Sequence, residues 1–457
     1  MAHHLGKQAV VIGAGMGGLT AAAALSEFFD RVVVLDRDSL PGAAVPRSGV
    51  PQSAHTHGLL AGGYRALTML FPGIEDDFAA GGAVTIDGAG ELRMERPGYD
   101  PFPQRRLGVP FCCMSRPLVE LTVRRRVERI ANLDLRTECR AEELIAAPDG
   151  RGVAGVRHSA PGIAETLAAD LVIDASGRGA LTLEFLKMAG WPAPEETPIG
   201  MDMNYVTARF AVPRDAPKDW KGVYLLPKAP ETSRGALLLP IEHDCWTVTM
   251  FAGHDDRPPS DDDGFHAFAR SLRLPTAANA IKGAERVTPY TRFRFPGSNW
   301  KHFEQMADFP RGLLPLGDAV CRFNPVFGQG MSVAAQEAVL LRRFLSETAA
   351  TADGLSALTP RYFAELPALL GAPWAATALD LAYPQTTGTR PPDFERQMKF
   401  GAAVTELAAR EADAHQLFVE VGHLLKPRSA MRDPAFQARV EAVLAEMSAR
   451  GKMGESA

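Results

Sequence analysis

Two kinds of apolar patterning divide the chain. Short, almost uninterrupted apolar runs at 9–12, 31–35, 171–173 and 313–316 predict the strands of one α/β sheet. Between roughly 186 and 295 the texture changes to alternating runs, at 204–210, 236–239 and 246–251, separated by Pro/Gly/Asp loops such as 255–263. That pattern predicts antiparallel strands. From about 332 the chain is rich in Ala, Leu and Glu at helical spacing, interrupted by Pro360, Pro367, Pro373 and a loop at 383–392. A helical C-terminal section broken at those prolines is expected. Because the sheet-forming runs lie far apart, the α/β domain is predicted to be assembled from 1–80, 111–185 and 296–345. Segments 81–110 and 186–295 form an inserted antiparallel-sheet domain, and 346–457 the helical section.

The first apolar run leads into Gly13-Ala14-Gly15-Met16-Gly17-Gly18, an alanine-rich stretch, and a second run ending in Asp36. Strand, G-x-G-x-x-G turn, helix, strand and acid in that order form a dinucleotide-binding fingerprint. Gly13 allows the tight turn, Gly15 lets backbone N–H groups approach a pyrophosphate, and Gly18 lets helix and strand pack closely. The helix N-terminus offers unpaired donors to the phosphates, and Asp36 stands where a ribose hydroxyl needs an acceptor.

Composition narrows the partners. A hydrophobic fraction of 46%, a charged fraction of 23% and a net charge of −5 are those of an ordinary globular protein with no nucleic-acid tail. Arg124-Arg125-Arg126 reads as the solvated face of a helix. The five cysteines form no CxxC pair, so neither a disulfide framework nor a zinc site is expected, and a reducing, cytoplasmic setting fits. His55 and His57, at i and i+2, have no further ligand at metal spacing, so no metal is expected. Glu406, Arg410, Glu411, Asp413, Lys426, Arg428, Arg432 and Arg439 interrupt any spanning run in the C-terminal section, leaving peripheral membrane contact at most.

Three further motifs specify the dinucleotide. They are Ser115-Arg116-Pro117, Asp174-Ala175-Ser176-Gly177-Arg178, and Leu316-Gly317-Asp318-Ala319 continuing to Asn324-Pro325-Val326-Phe327-Gly328-Gln329-Gly330-Met331. Their order and spacing over about 8–345 resemble the FAD-dependent monooxygenases of the aromatic hydroxylase and squalene epoxidase superfamily. The segment from Arg47 through Gln52, His55 and His57 to Leu60, with Leu239-Pro240-Ile241-Glu242, is similar to the bacterial polyether-epoxidase branch. Asp-Ala-Ser-Gly-Arg departs from the Asp-Gly form of the aromatic hydroxylases, where that motif is tied to both FAD and NADPH.

The resemblance implies a Rossmann-like, discontinuous FAD-binding domain with an inserted substrate domain. It also implies NADPH or NADH as reductant, and one oxygen atom from O2 delivered through a flavin C4a-hydroperoxide to a polyketide, terpenoid or aromatic substrate by epoxidation or hydroxylation. Gly13, Gly15, Gly18, Asp36, Arg37, Arg116, Asp174, Gly317, Asp318, Pro325, Gly328, Gly330 and Met331 are the expected FAD contacts. Arg47, Gln52, His55 and His57 are the polar groups expected nearest the flavin ring. Tyr205, Phe210, Trp246, Phe251, Phe293 and Phe295 are expected on the substrate side. Other readings are a prenyl-lipid reductase of the geranylgeranyl-reductase type, a flavin-dependent halogenase (although Trp-x-Trp-x-Ile-Pro and an evident active-site lysine are missing) and a flavin carrier without turnover.

Overall fold

The computed structural model describes residues 4–350 and 354–454. Its central sheet is parallel, in the order Leu313–Pro315, Leu171–Asp174, Gly6–Ile12, Phe29–Leu35, Leu133–Arg136. All four predicted runs are in it. The fifth strand, Leu133–Arg136, escaped sequence reading because it is a short, half-buried edge in which charges alternate with leucines. Helix Met16–Leu25 follows the first strand, and its alanines are buried against the sheet and against the long helix Gly330–Ala349. Small side chains on that helix allow the close approach.

The second layer is a six-stranded sheet ordered Thr291–Phe295, Met203–Ala211, Cys245–Ala252, Gly235–Ile241, Gly222–Leu225 and Leu92–Glu95. Only Leu92–Glu95 runs parallel to its neighbour; the other pairings are antiparallel. Register puts Tyr205 opposite Phe251 and Phe293, and Thr207 opposite Thr249 and Thr291. Side chains alternate along a strand, so these residues share one face. That face carries Tyr205, Phe251 and Phe295 into a cluster with Val326 and Tyr383, with Phe293 and Phe327 packed against it. Phe210 and Trp246, expected beside them, lie in a separate core with Trp220 and Phe265. Phe210 lies an odd number of residues from Tyr205 on its strand, and Trp246 an odd number from Phe251 on the next, which sends both to the far side.

The C-terminal section is helical, with Leu358–Thr377, Phe394–Arg410, Ala412–Gly422 and Pro434–Gly454 following Gly330–Ala349. The expected breaks at prolines do not occur. Pro360 sits in the first turn of Leu358–Thr377, where its missing N–H costs nothing, and Pro367 and Pro373 lie inside the helix. Burial of Tyr362, Phe363, Leu366 and Leu370 on the side facing the α/β domain holds the helix together across them. The arginine triplet is also not simply solvated. Arg124 is buried and donates to the Pro41 carbonyl, while Arg126 pairs with Asp77 and donates to the Pro72 and Gly73 carbonyls. No described helix is long and apolar enough to cross a membrane.

Two glycines of the first turn are required by space. Gly13 has φ +98°, and a Cβ there would lie 2.7 Å from the Ala175 carbonyl oxygen. A Cβ on Gly18 would collide with the Gly13 carbonyl, whereas one on Gly15 would meet nothing within 4 Å. Gly18→Ala is therefore expected to lower stability by about 1–3 kcal/mol through overpacking. Gly15→Ala should leave the melting temperature of the flavin-free protein unchanged. Thermal unfolding of the two variants checks this, and equal losses would contradict it.

Candidate functional site

The first strand ends at Ile12, and the chain turns through Gly13 so that Gly15 opens helix Met16–Leu25 with no side-chain cap. Its first-turn N–H groups are thus available to a ligand. Asp36, at the end of the second strand, accepts from Ala14 N–H at 2.6 Å and Asp38 N–H at 2.9 Å. Arg47 is spent in the same place. Its guanidinium reaches Glu120 at 2.5 Å, Asp38 at 2.7 Å, Asp36 at 3.4 Å and the Ala14 carbonyl at 3.2 Å. Three buried carboxylates converge there, and a planar five-donor guanidinium is the group that satisfies them together. The structure thus ties Arg47 to the fingerprint turn rather than to the segment of Gln52, His55 and His57. Arg37 is exposed beside Asp36.

Ser115 caps helix Arg116–Val127 and presents Arg116 at its first position. Arg116 is buried, bonds Glu120 at 3.2 Å, and leaves its Nε without a partner. Its charge bears on both His57 and Asp318. Asp318 follows Gly317 (φ +68°) after the strand Leu313–Pro315. Burial pushes its carboxyl above the usual aspartate range, opposed by Arg322, Arg116 and Lys301. Asp174 behaves differently. It is fully buried and spends its carboxylate on Ser176 N–H, Thr182 N–H and the Thr182 hydroxyl. Those bonds tie the carboxylate to its own turn and to the first turn of helix Ala180–Met188.

The stretch after Asp318 joins three parts of the molecule. Asn324, fully buried, accepts from Val326 N–H and from the Tyr205 hydroxyl, each at 3.0 Å, and donates to Asp380 at 2.7 Å. The Tyr224 hydroxyl donates to the Val326 carbonyl at 3.0 Å. The 324–327 turn is thereby fastened to the inner face of the six-stranded sheet and to the C-terminal section. Burial lifts the Asp380 carboxyl to about 7. Pro325 is exposed, Gly328 (φ +66°) and Gly330 have open space where a Cβ would be, and buried Met331 is the second residue of the uncapped helix Gly330–Ala349.

Segment 52–57 lies across the inner face. His55 is buried; Nδ1 is 2.6 Å from the Thr207 hydroxyl, and Nε2 has no partner. Its ring packs 5.5 Å from Phe293 and 6.0 Å from Tyr205. Desolvation, then neighbouring His57, pushes its pKa down to about 3, so it is neutral at pH 7. His57 bonds the His55 carbonyl through Nδ1 at 2.8 Å, and burial with the Arg116 charge holds it at about 4. Gln52 is half-buried in the turn Pro51–Ala54. Among the described residues no group of three or more His, Cys, Asp or Glu is placed to hold a metal.

The family model described as "FAD binding domain" matches residues 7–362. This chain belongs to that family. A Mycobacterium tuberculosis (strain ATCC 25618 / H37Rv) protein, Rv3254, is 34% identical over 346 residues, spanning 74% of this chain and 72% of that protein. The flavin-dependent brominase Bmp2 shares the fold at TM-score 0.68 and 16% identity, over 97% of this chain and 100% of that one. So does the p-nitrophenol 4-monooxygenase PnpA of Pseudomonas putida DLL-E4, at TM-score 0.65 and 16% identity, over 93% and 99%. The family match puts the chain among the FAD-binding proteins.

The site suits that cofactor. Open space at Gly15, Gly317, Gly328 and Gly330 coincides with two uncapped helix starts. Unpartnered buried atoms, Arg116 Nε and Gln329 Oε1, await a polar ligand. Sequence reading missed several groups that shape the site. Glu337 lies about two helical turns beyond Gly330 and accepts from Gly317 N–H at 2.6 Å. Lys301 is buried with its ammonium on the Ala319 carbonyl at 3.2 Å. Thr207 and Thr249 sit at buried strand positions. Each looks like core in the sequence, and only the tertiary fold pairs it.

Burial, with Asp318 nearby, lifts the Glu337 carboxyl to about 8. An acid whose folded pKa is raised stabilises most below its unfolded value and loses that contribution as pH rises through the folded one. Glu337→Gln is therefore expected to flatten the fall in stability between pH 4.5 and 8 relative to the parent protein. Melting temperatures across that range check it, and parallel curves would contradict it.

Proposed function

We propose that this chain is an NADPH- or NADH-dependent flavin monooxygenase. It places one oxygen atom of O2 on a hydrophobic ring or alkene, by hydroxylation or epoxidation, in the manner of the polyether-epoxidase branch. One observation supports this reading above the others. The aromatic inner face of the six-stranded sheet is hydrogen-bonded, through Tyr205 to Asn324 and Tyr224 to Val326, to the turn that leads into Gly328 and Gly330. A substrate gripped by that face is thereby fixed relative to the flavin edge, and orientation is the larger part of what such a reaction needs from its protein.

In this reading bound FAD supplies the redox and oxygen chemistry. Gly15 would admit the pyrophosphate in the turn that Gly13 and Gly18 shape, and Asp36 with Arg37 would receive the adenosine end. Arg116 would meet the phosphates and ribose, and Asp318 would accept from the ribitol. The N-terminus of Gly330–Ala349 gives a positive field where reduction places negative charge. Tyr205, Phe251, Phe293 and Phe295 exclude water from the reacting side. His55 and His57, both neutral at pH 7, add no charge to that side.

Arg47 then acts on FAD retention and stability rather than at the ring. Arg47→Ala strands buried carboxylates and is expected to cost about 3–5 kcal/mol and to release FAD, while Asp318→Ala releases FAD with a smaller loss of stability. Flavin content after gel filtration and melting temperature separate the two, and full flavin retention in Arg47→Ala would contradict this placement. The activity itself is tested with the flavin-loaded protein, NADPH or NADH, and a panel of hydrophobic arenes and alkenes under labelled O2. Product carrying one labelled oxygen is expected. Reduced product without label would instead mean alkene hydrogenation.

A further inference from the structure

The inner face of the six-stranded sheet is aromatic at one end and carries a stripe of hydroxyls beside His55. Thr207 Oγ1 lies 2.6 Å from His55 Nδ1 and 2.6 Å from Thr249 Oγ1. Thr249 Oγ1 lies 2.8 Å from Thr56 Oγ1, which lies 3.2 Å from Thr247 Oγ1. Thr207, Thr247 and Thr249 are buried, and Thr56 is half-buried. Valine would occupy any of these β-branched strand positions without burying a polar atom. A row of such hydroxyls on a sheet face, Thr207 touching Thr249 and Thr249 linked to Thr247 through Thr56, is therefore a cost that apolar packing does not explain.

We propose that Thr207, Thr249, Thr56 and Thr247 form a proton path whose inner end is His55 and whose outer end opens beside Arg209. The proposal rests on the reading that this face holds the substrate. Each hydroxyl has one hydrogen and can donate in only one direction at a time. The row thus has two complete arrangements, one with every hydroxyl donating towards His55 Nδ1 and one with every hydroxyl donating away from it. The first leaves the imidazole proton on Nε2 and the second leaves it on Nδ1.

Nε2 is buried and unpartnered against Tyr205 and Phe293, so it is free to face a hydroxyl or amino group on a ring-bearing ligand. With the row pointing outward, the ligand O–H bond breaks and its proton joins Nε2. The Nδ1 proton passes to Thr207, whose own hydrogen passes to Thr249, then Thr56, then Thr247. The hydrogen of Thr247 leaves to solvent water on the Arg209 side. Thr247 pairs with Arg209 in the strand register, and the Arg209 side chain is 24% exposed. The ligand is left as its anion, richer in electrons towards an electrophilic oxygen, and the imidazole stays neutral throughout. The relay resets in reverse once the ligand has reacted: the product anion takes the Nε2 hydrogen, Nδ1 takes the hydrogen of Thr207, each hydroxyl takes that of its outward neighbour, and Thr247 takes one from solvent water. Thr207 and Thr249 are thus positioning residues that set which nitrogen of His55 carries hydrogen.

The test is nitrogen NMR of flavin-loaded protein carrying labelled histidine, with His55→Gln used to assign the signal. In the parent protein the two His55 ring nitrogens should show averaged shifts. Thr249→Val leaves Thr207 with His55 as its partner, so the averaging should be lost and the hydrogen fixed on Nε2. Thr249→Ser, which keeps the hydroxyl, should restore the averaging. A single fixed tautomer in the parent protein overturns the proposal, as does the same tautomer mixture in Thr249→Val. The parent spectrum decides even where a variant folds poorly. A flavoprotein that never used oxygen would give the same His55 spectra, so failure of the monooxygenase reading is separable from failure of this path.

Discussion

Everything in the site depends on one close approach, that of helix Met16–Leu25 to the first strand through Gly13 and Gly18. There is no room for a Cβ at either position. That approach presents the free N–H groups of the helix start at the end of the parallel sheet, the place where open α/β sheets bind ligands. The same helix supports Gly330–Ala349, whose own start delivers the second set of open glycines. Asp36 and Arg47 then brace the turn from the side, through Ala14 N–H and the Ala14 carbonyl.

The second constraint is the pleat of the six-stranded sheet. A period of two divides its aromatic residues into those that meet the flavin half and those that build a separate core. Tyr205 and Phe251 are on the first side, Phe210 and Trp246 on the second. The inner side is anchored by hydrogen bonds to Asn324 and Val326, and by Glu242, which accepts from Ser115 N–H at 2.9 Å. The aromatic face and the 324–327 turn are therefore fixed in register by directional contacts rather than by apolar packing alone.

Much of this was legible in the chain. Buried strands are apolar over their whole length, and a glycine turn has a fixed spacing, so the parallel sheet and fingerprint stand out locally. The hidden parts are those whose meaning is tertiary. Leu133–Arg136 joins the sheet as a polar edge, and the prolines of Leu358–Thr377 are overridden by burial of its apolar side. Asp174 stands in a cofactor motif, and its bonds to Ser176 and Thr182 appear only in the fold. Arg47 and His55 are close in sequence, yet one is drawn to three carboxylates and the other to a threonine stripe. Glu337, Lys301 and Asp380 sit in apolar or unremarkable surroundings in sequence, and only their buried partners mark them.

The central claim is that this flavin site activates oxygen for transfer, and its most direct test is optical. Flavin-loaded protein would be reduced without air and mixed rapidly with oxygenated buffer, with and without hydrophobic aromatic or alkene compounds. The account predicts a transient spectrum distinct from both reduced and oxidised flavin, with a lifetime that changes when a compound is bound. Direct return from reduced to oxidised flavin under every condition would contradict it.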